Sequence, residues 1–163
     1  MTWKTPNGEA TSYETIIEEI KDTVKSTSDH RIIIGVDSQP RCQMTVVVKV
    51  ITIITNDIEK KRKYFYEKTK IKNHSPDMYN RIMQECMSSI ELALRVRSSD
   101  EWINSLANIE VHLDVNSPES KTKTSRISNM LQNMVRGHNI ETVCIKPDSW
   151  VASSIADRHT KTY

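Results

Sequence analysis

The sequence predicts a mixed α/β fold, and three observations lead to it. The chain of 163 residues fits one domain, and a domain of this size buries enough surface to need no disulfide or structural metal. Runs of β-branched residues alternate with segments whose apolar residues recur every three or four positions. Three predicted strands follow one another directly, and two more are each preceded by a helix. Because short turns join antiparallel strands and helical connections join parallel ones, we expect a mixed five-stranded sheet with helices on both faces.

The first half of the chain supplies one helix and the three antiparallel strands. Residues 1–10 are polar and are expected to form a flexible leader, with a single domain over residues 11–163. Thr11–Glu14 has the spacing of a capping box and precedes an apolar helical face. The strands are expected at Arg31–Asp37, Met44–Ile54 and Lys61–Thr69. The first of them is almost continuously apolar, which is typical of a strand buried on both faces.

The second half alternates helices with strands. Long helices are expected over Met78–Arg97 and Thr124–Arg136, the second ended by Gly137. The remaining two strands are expected over Ile109–Val115 and Thr142–Lys146. A short final helix opens at Pro147–Ser149 and is expected to end near Arg158.

Composition and charge exclude several classes of protein. Hydrophobic residues make up 37% and charged residues 27%, as in a globular chain. No apolar run is long enough to span a membrane and the N-terminus lacks an apolar signal region, so we expect a cytoplasmic protein without a membrane partner. The three cysteines form no C-x-x-C pair, which argues against a zinc site or a disulfide framework. A net charge of +2 is too small to indicate nucleic acid by itself.

Acidic residues at the ends of apolar strands are the main functional signal. Asp37 ends the first predicted strand, Asp114 lies in the fourth, and Asp148 follows the fifth. If these strands are neighbours, the three carboxylates converge at one end of the sheet. Like charges held together need a cation between them, and Mg²⁺ and Mn²⁺ prefer carboxylate oxygens. Each aspartate alone also fits a turn or a helix cap, and Asp148 fits an N-cap as well as a ligand.

The long helix offers a fourth carboxylate. Glu85 lies at the flank of the apolar arc, whereas Glu91 lies on the polar side. A carboxylate inside an apolar arc needs a partner, so Glu85 is the candidate ligand and Glu91 is predicted at the surface. The centre of the buried face is expected at Tyr79, Ile82, Cys86, Ile90 and Ala93.

Five segments together resemble the YkuK family of ribonuclease H-like proteins. They are Gly35-Val36-Asp37-Ser38-Gln39, Arg81–Glu85, Val111–Asp114, Lys146–Trp150 and Ala152–Lys161. The resemblance covers about residues 30–161 and implies a ribonuclease H-like fold and phosphodiester hydrolysis with a divalent metal. It carries the family's acidic positions onto Asp37, Glu85, Asp114 and Asp148, with Asp157 as a further candidate.

The residues and the resemblance together predict a two-metal nuclease acting on DNA or RNA. Two Mg²⁺ or Mn²⁺ ions bound by the four acids would activate water and stabilise the leaving oxygen of a phosphodiester. Two alternatives stay open. One is a junction-resolving, structure-selective DNA endonuclease that uses the same fold as a homodimer. The other is a nucleic-acid-binding or scaffold protein that has kept the fold and lost catalysis.

Cations and histidines around the predicted site are candidates for substrate contacts. Lys61, Arg62, Lys63 and Tyr64 suit phosphate contacts and base stacking, and equally suit a lysine-protected sheet edge. Lys121 and Lys123 suit either phosphate contacts or a solvated helix start. His112 shares a strand face with Asp114, and either transfers a proton or is structural. The C-terminal candidates for meeting a substrate phosphate are Arg158, His159 and Lys161.

Overall fold

The computed structural model describes residues 2–56, 61–72 and 77–161. Its strands are β1 (Trp3–Lys4), β2 (Ala10–Thr11), β3 (His30–Arg41), β4 (Met44–Thr55), β5 (Lys61–Lys72), β6 (Ile109–His112) and β7 (Thr142–Cys144). Its helices are α1 (Tyr13–Ser26), α2 (Met78–Ser98), α3 (Glu101–Leu106), α4 (Ser125–Gly137) and α5 (Asp157–Lys161). A short 3₁₀ turn at Pro118–Ser120 precedes α4, and a π-helical segment, Val151–Ala156, leads directly into α5.

All seven strands form one sheet in the order β2-β1-β5-β4-β3-β6-β7. The central strands β3, β4 and β5 are antiparallel, whereas β6 runs parallel to β3 and β7 runs parallel to β6. The predicted mixed sheet is therefore confirmed, but the count of five strands is wrong. The two additional strands are only two residues long, so they carry no alternating pattern that a sequence could reveal.

The segment expected to be a flexible leader contributes both additional strands. Trp3 pairs with Glu67 of β5 and is only 4% exposed, with its ring centroid 6.3 Å from that of Tyr13. The short strands β1 and β2 were not expected in this segment, and the flexible leader over residues 1–10 stays a prediction. The domain boundary at residue 11 stays a prediction.

Helices cover both faces of the sheet, as predicted. On one face α1, α2, α3 and α4 pack over the alternate residues Ile32 and Ile34 of β3. On the other face Val151 and Ala156 pack over Ile33 and over the valines of β4. Since successive side chains of a strand point to opposite faces, β3 is apolar on both sides, which explains its continuous hydrophobic run.

Among the described residues, every helix is too short or too polar to cross a membrane.

Gly35 is required where the C-terminal helical segment crosses β3. A Cβ atom at this position would lie 2.8 Å from the backbone nitrogen of Ala152 and 2.8 Å from Cγ1 of Val151. Both distances are below van der Waals contact, and one partner is backbone that has no rotamer to change. The absence of a side chain at Gly35 therefore sets how closely the C-terminal segment approaches β3, two residues before Asp37.

We predict that Gly35→Ala destabilises the protein because the added methyl group forces the C-terminal segment away from the sheet. Overpacking of this kind costs about 2 kcal/mol, which lowers the melting temperature of a domain of this size by roughly 6 °C. Gly137→Ala is the matched control, because nothing beyond its own stretch of α4 lies within 4 Å of the position that a Cβ atom would take. Thermal unfolding that gives equal melting temperatures for the two variants would contradict the close-approach argument.

Candidate metal centre

Asp37 is buried in β3 on the face that the C-terminal helical segment covers. It is 5% exposed, and the Thr160 hydroxyl donates a hydrogen bond to its Oδ2 at 2.8 Å. Arg41 donates to the carbonyl oxygens of Thr160 and Lys161 at 2.9 and 3.0 Å, which fixes the end of α5 against the end of β3. Burial raises the pKa of Asp37 to about 6 against the hydrogen bond from Thr160, and the nearby charges of Asp114 and Asp157 raise it further.

Glu85 reaches the same region from α2, on the opposite face of the sheet. It is 7% exposed, as expected for the flank of the apolar arc, whereas Glu91 is exposed. Its Oε1 accepts hydrogen bonds from the Ser38 N–H (3.0 Å), the Ser38 hydroxyl (2.6 Å) and the Arg81 guanidinium (2.9 Å). Burial raises the pKa of Glu85 to about 7 against the hydrogen bond from Ser38, and the charges of Asp37 and Asp114 raise it further.

Asp114 joins these two carboxylates from the end of β6. The strand stops at His112, so Asp114 lies two residues beyond it and not within a strand as predicted. The chain still follows β7 here, because the Leu113 N–H donates to the Cys144 carbonyl at 2.9 Å. The Lys146 ammonium lies 2.8 Å from Oδ1 of Asp114. Asp114 acts electrostatically on both Asp37 and Glu85, so the residues after β6, the second half of β3 and the N-terminal half of α2 lie near one another.

Asp157, at the start of α5, is the fourth carboxylate at this point. Its charge acts on Asp37, and its Oδ2 accepts a hydrogen bond from the Lys161 ammonium at 2.6 Å. The pKa of Lys161 is raised mainly by Asp157, and Asp37 and Asp114 add to the effect. Lys161 therefore lies among three of the acids.

Asp148 occupies a different position. It is exposed in the turn after β7, where its charge acts on Cys144. Electrostatic interactions link Asp37 with Glu85, Asp114 and Asp157, and the assignment of the site residues stays a prediction. In the sequence, the only sign favouring Asp157 is Lys161 four residues later on the same helical face.

The gathered carboxylates fit a hard divalent cation. All the hydrogen bonds to Glu85 end on Oε1, and the one to Asp37 ends on Oδ2, so within the described chain Oε2 and Oδ1 accept none. Oxygen-only ligand sets of this kind suit Mg²⁺ and Mn²⁺. Burial is the main cause of the raised pKa values of Asp37 and Glu85, and the neighbouring carboxylates add to it, so a cation bound beside them would favour their charged forms.

His112 serves a structural contact away from the acids. It is fully buried, and its Nδ1 accepts a hydrogen bond from the Val151 N–H at 3.3 Å. Its ring meets Trp150 edge-on, with centroids 5.8 Å apart. Because Nδ1 accepts, the proton of the neutral ring is on Nε2, which lies 3.8 Å from Glu110. None of these contacts within the described residues involves Asp114, and the suggested proton-transfer role gains no support from them.

A second group of ligand-type side chains surrounds this histidine. Glu110, His112 and Cys144 each place one ligand atom within 4.8 Å of the others. Arg31 already binds both oxygens of Glu110, at 2.6 and 2.7 Å. Burial acts to raise the pKa of Glu110, but the hydrogen bonds and charges of Arg31 and His112 together outweigh it and lower that pKa to about 2. A metal here would have to displace Arg31 and deprotonate Nε2, so this group fits a structural ion pair better than a metal.

Strand register separates the predicted basic segment of β5 from the acids. Asp37 is aligned with Val48 and Lys68, whereas Arg62 is aligned with Arg31 at the other end of β3. Six residues of strand correspond to roughly 20 Å. Lys63 binds Glu19 at 2.9 Å, and Arg62 lies over the Trp150 ring. Lys63 and Arg62 therefore make contacts within the protein, at the end of the sheet away from Asp37.

Of the predicted C-terminal candidates, His159 lies over β5, and the loop candidates lie beside the start of α2. The His159 ring stacks on Tyr66 with centroids 3.7 Å apart, and Nε2 is 3.3 Å from the Tyr64 hydroxyl. Burial lowers the pKa of His159, and the neighbouring charges of Arg158 and Lys68 act in the same direction. Arg158 is exposed, and Lys121 and Lys123 are exposed beside the start of α2.

Comparison with known proteins agrees with the motifs. A family model described as Ribonuclease H-like matches residues 14–161. This match covers most of the chain and confirms the resemblance. No curated protein and no solved structure gives a match.

The raised pKa values predict how stability depends on pH when no metal is bound. In the unfolded chain Asp37 and Glu85 titrate near 4, whereas in the folded protein they titrate at about 6 and about 7. The folded state therefore binds more protons in this window, and its stability is greatest at the acid end and falls as pH rises through 6 and 7. We expect thermal unfolding in EDTA to give a higher melting temperature at pH 5 than at pH 8.

Removing one buried acid should reduce this pH dependence. Glu85→Gln should lower the difference between the two melting temperatures, because the amide does not titrate. Glu91→Gln is the matched control on the exposed side of α2 and should keep the wild-type difference. Identical pH profiles for wild type and Glu85→Gln would refute the assignment of the shift to this cluster.

Proposed function

The chain belongs to the ribonuclease H-like family, and on that premise we propose that it is a divalent-metal-dependent nuclease that hydrolyses phosphodiester bonds of nucleic acid. Membership of this family suggests a nuclease-type function. The observation that supports the finer proposal is that carboxylates from β3, α2, the residues after β6 and α5 interact electrostatically, with Asp37 and Glu85 both buried. Repulsion between four neighbouring carboxylates lowers the stability of the folded state unless a bound cation offsets it.

We assign the metal ligands to Asp37, Glu85, Asp114 and Asp157. Asp157 replaces Asp148 in this set because Asp157 acts electrostatically on the buried Asp37, whereas Asp148 is exposed in the turn after β7. Asp37 is coupled electrostatically to each of the other three acids, which makes it the natural bridging ligand. Mg²⁺ or Mn²⁺, as a pair, would supply Lewis-acid stabilisation of a phosphodiester and lower the pKa of water.

The remaining polar residues position these ligands. Ser38 and Arg81 hold Glu85 through Oε1 and leave Oε2 directed elsewhere. Thr160 holds Asp37 in the same way through Oδ2. Lys146 and Lys161 lie 2.8 and 2.6 Å from Asp114 and Asp157, where they compensate negative charge and stand close to the place that a substrate phosphate would take.

DNA and RNA are both candidate substrates, and a homodimeric junction-resolving enzyme is a narrower form of the same proposal. A non-catalytic nucleic-acid-binding protein is the alternative from another class. Its sequence would gain stability from replacing buried acids by neutral residues. The presence of two buried carboxylates with raised pKa values favours the catalytic proposal.

Substitution of the proposed ligands tests the function. We expect wild type to cut at least one of labelled single-stranded, duplex, hybrid or branched substrates with Mg²⁺ or Mn²⁺, and none in EDTA. Asp37→Asn should abolish cleavage and Glu85→Gln should slow it by at least ~100-fold, since each removes a positioned catalytic group.

Two paired controls make this series specific. Glu91→Gln should cut within a few-fold of wild type, because Glu91 is exposed on the polar side of α2. Asp157→Asn should lose activity while Asp148→Asn keeps most of it. Cleavage that survives Asp37→Asn, or a loss confined to Asp148→Asn, would show that this ligand set is wrong.

A further inference from the structure

A basic groove lies beside the start of α2, next to the acidic centre. It has a volume of about 510 Å³ and is formed by the first turn of α2 and the segment that leads into α4. Its wall includes Lys121, Lys123 and Arg126, and no described residue forms an ion pair with any of them. Asp77, the acid in this wall, accepts hydrogen bonds from the N–H groups at the start of α2. The groove therefore presents excess positive charge.

Tyr79 adds an exposed aromatic ring to this groove. Helical periodicity places it at the centre of the buried face of α2, and that prediction is wrong because the residue is 46% exposed. It lies in the first turn of α2, where the ring borders the groove and not the hydrophobic core. An exposed ring among cations combines the two contacts that proteins use for unpaired nucleotides, which are stacking on a base face and attraction of the phosphate.

The groove is tied to the acidic centre through both of its walls. On α2, six residues separate Tyr79 from Glu85, a rise of roughly 9 Å. On the other side, the segment carrying the lysines begins three residues after Asp114. Its base is closed by Asn116, whose backbone N–H and side-chain amide donate to the Thr124 hydroxyl at 3.2 and 3.0 Å. The groove and the carboxylates are therefore held by the same two elements, α2 and the segment that follows β6.

We propose that this groove binds an unpaired stretch of the substrate strand adjacent to the bond that is cut. The inference rests on the nuclease function proposed above and narrows its substrate class to nucleic acid with a single-stranded segment. In a duplex the base faces are stacked on one another and inaccessible to Tyr79, whereas an unpaired base offers its face. The phosphate and base chemistry is common to DNA and RNA.

Binding without catalysis tests this assignment. The probes are labelled oligothymidylate, oligouridylate and a duplex of equal length, titrated with the full chain in EDTA and followed by fluorescence anisotropy at several salt concentrations. For both single strands, the double variant Lys121→Ser/Lys123→Ser should weaken binding and reduce the salt slope by about 1.4, at ~0.7 per lost phosphate contact. Tyr79→Ala should weaken binding about tenfold with little change of slope, and Tyr79→Phe should restore it.

The matched control is Lys61→Ser/Lys63→Ser, which removes the same charge at the far end of the sheet and should leave binding near wild type. The inference would be overturned if the two double variants lost the same affinity for single strands, or if Tyr79→Ala bound single strands as tightly as wild type. It would also be overturned if Tyr79→Ala weakened duplex binding as much as single-strand binding. The tighter of the two single strands identifies the preferred sugar. The binding assay contains no metal, so its outcome does not depend on cleavage. Failure to cut any substrate with Mg²⁺ or Mn²⁺ would refute only the nuclease proposal, and unaltered binding by the groove variants of a protein that cuts would refute only the groove.

Discussion

The burial of Asp37 is the constraint on which the rest of the site depends. Its carboxylate lies in the middle of a strand that is apolar on both faces, and it is only 5% exposed. A buried charge of this kind needs nearby donors and counter-ions. The fold supplies Thr160 and, through Arg41, a fixed end of α5. The close approach of the C-terminal segment at Gly35 follows from the same requirement, because it brings that segment over β3.

The topology of the sheet brings the other proposed metal ligands near Asp37. The parallel connections place the ends of β3, β6 and β7 at one edge of the sheet, and α2 crosses this edge from the opposite face. Each acid is therefore held by a different element, and no local sequence motif has to encode the whole site. Lys146 and Lys161 offset part of the repulsion, but the pKa values of Asp37 and Glu85 stay raised. The cation of the proposed function would complete the charge of this arrangement.

Sequence patterns predict the central fold well because its elements are long and periodic. The helices α1, α2 and α4 and the strands β3, β4 and β5 each have a distinct apolar pattern. The two-residue strands and α3 are too short to show one. The central fold is therefore predictable from the sequence, and its short additions are not.

The candidate site is predictable only in part. Apolar strands draw attention to Asp37 and Asp114, and the flank of a helical arc draws attention to Glu85, although β3 continues to Arg41 and β6 stops at His112. Asp157 cannot be separated from Asp148 in this way, since both stand near helix starts and only the path of the chain over β3 distinguishes them. Helical periodicity wrongly predicts that Tyr79 is buried, because periodicity does not show where a helix extends past the hydrophobic core.

The most direct measurement of the central claim is calorimetric titration of the metal-free protein with Mn²⁺, at pH 6.5, in two buffers of different ionisation enthalpy. Asp37 and Glu85 titrate at about 6 and about 7, so metal binding must displace protons from them. We expect about two ions to bind. The protons that they displace should make the apparent binding heat differ between the two buffers, and Asp37→Asn should reduce this difference. Absence of binding at millimolar Mn²⁺, or binding that Asp37→Asn leaves unchanged, would contradict it.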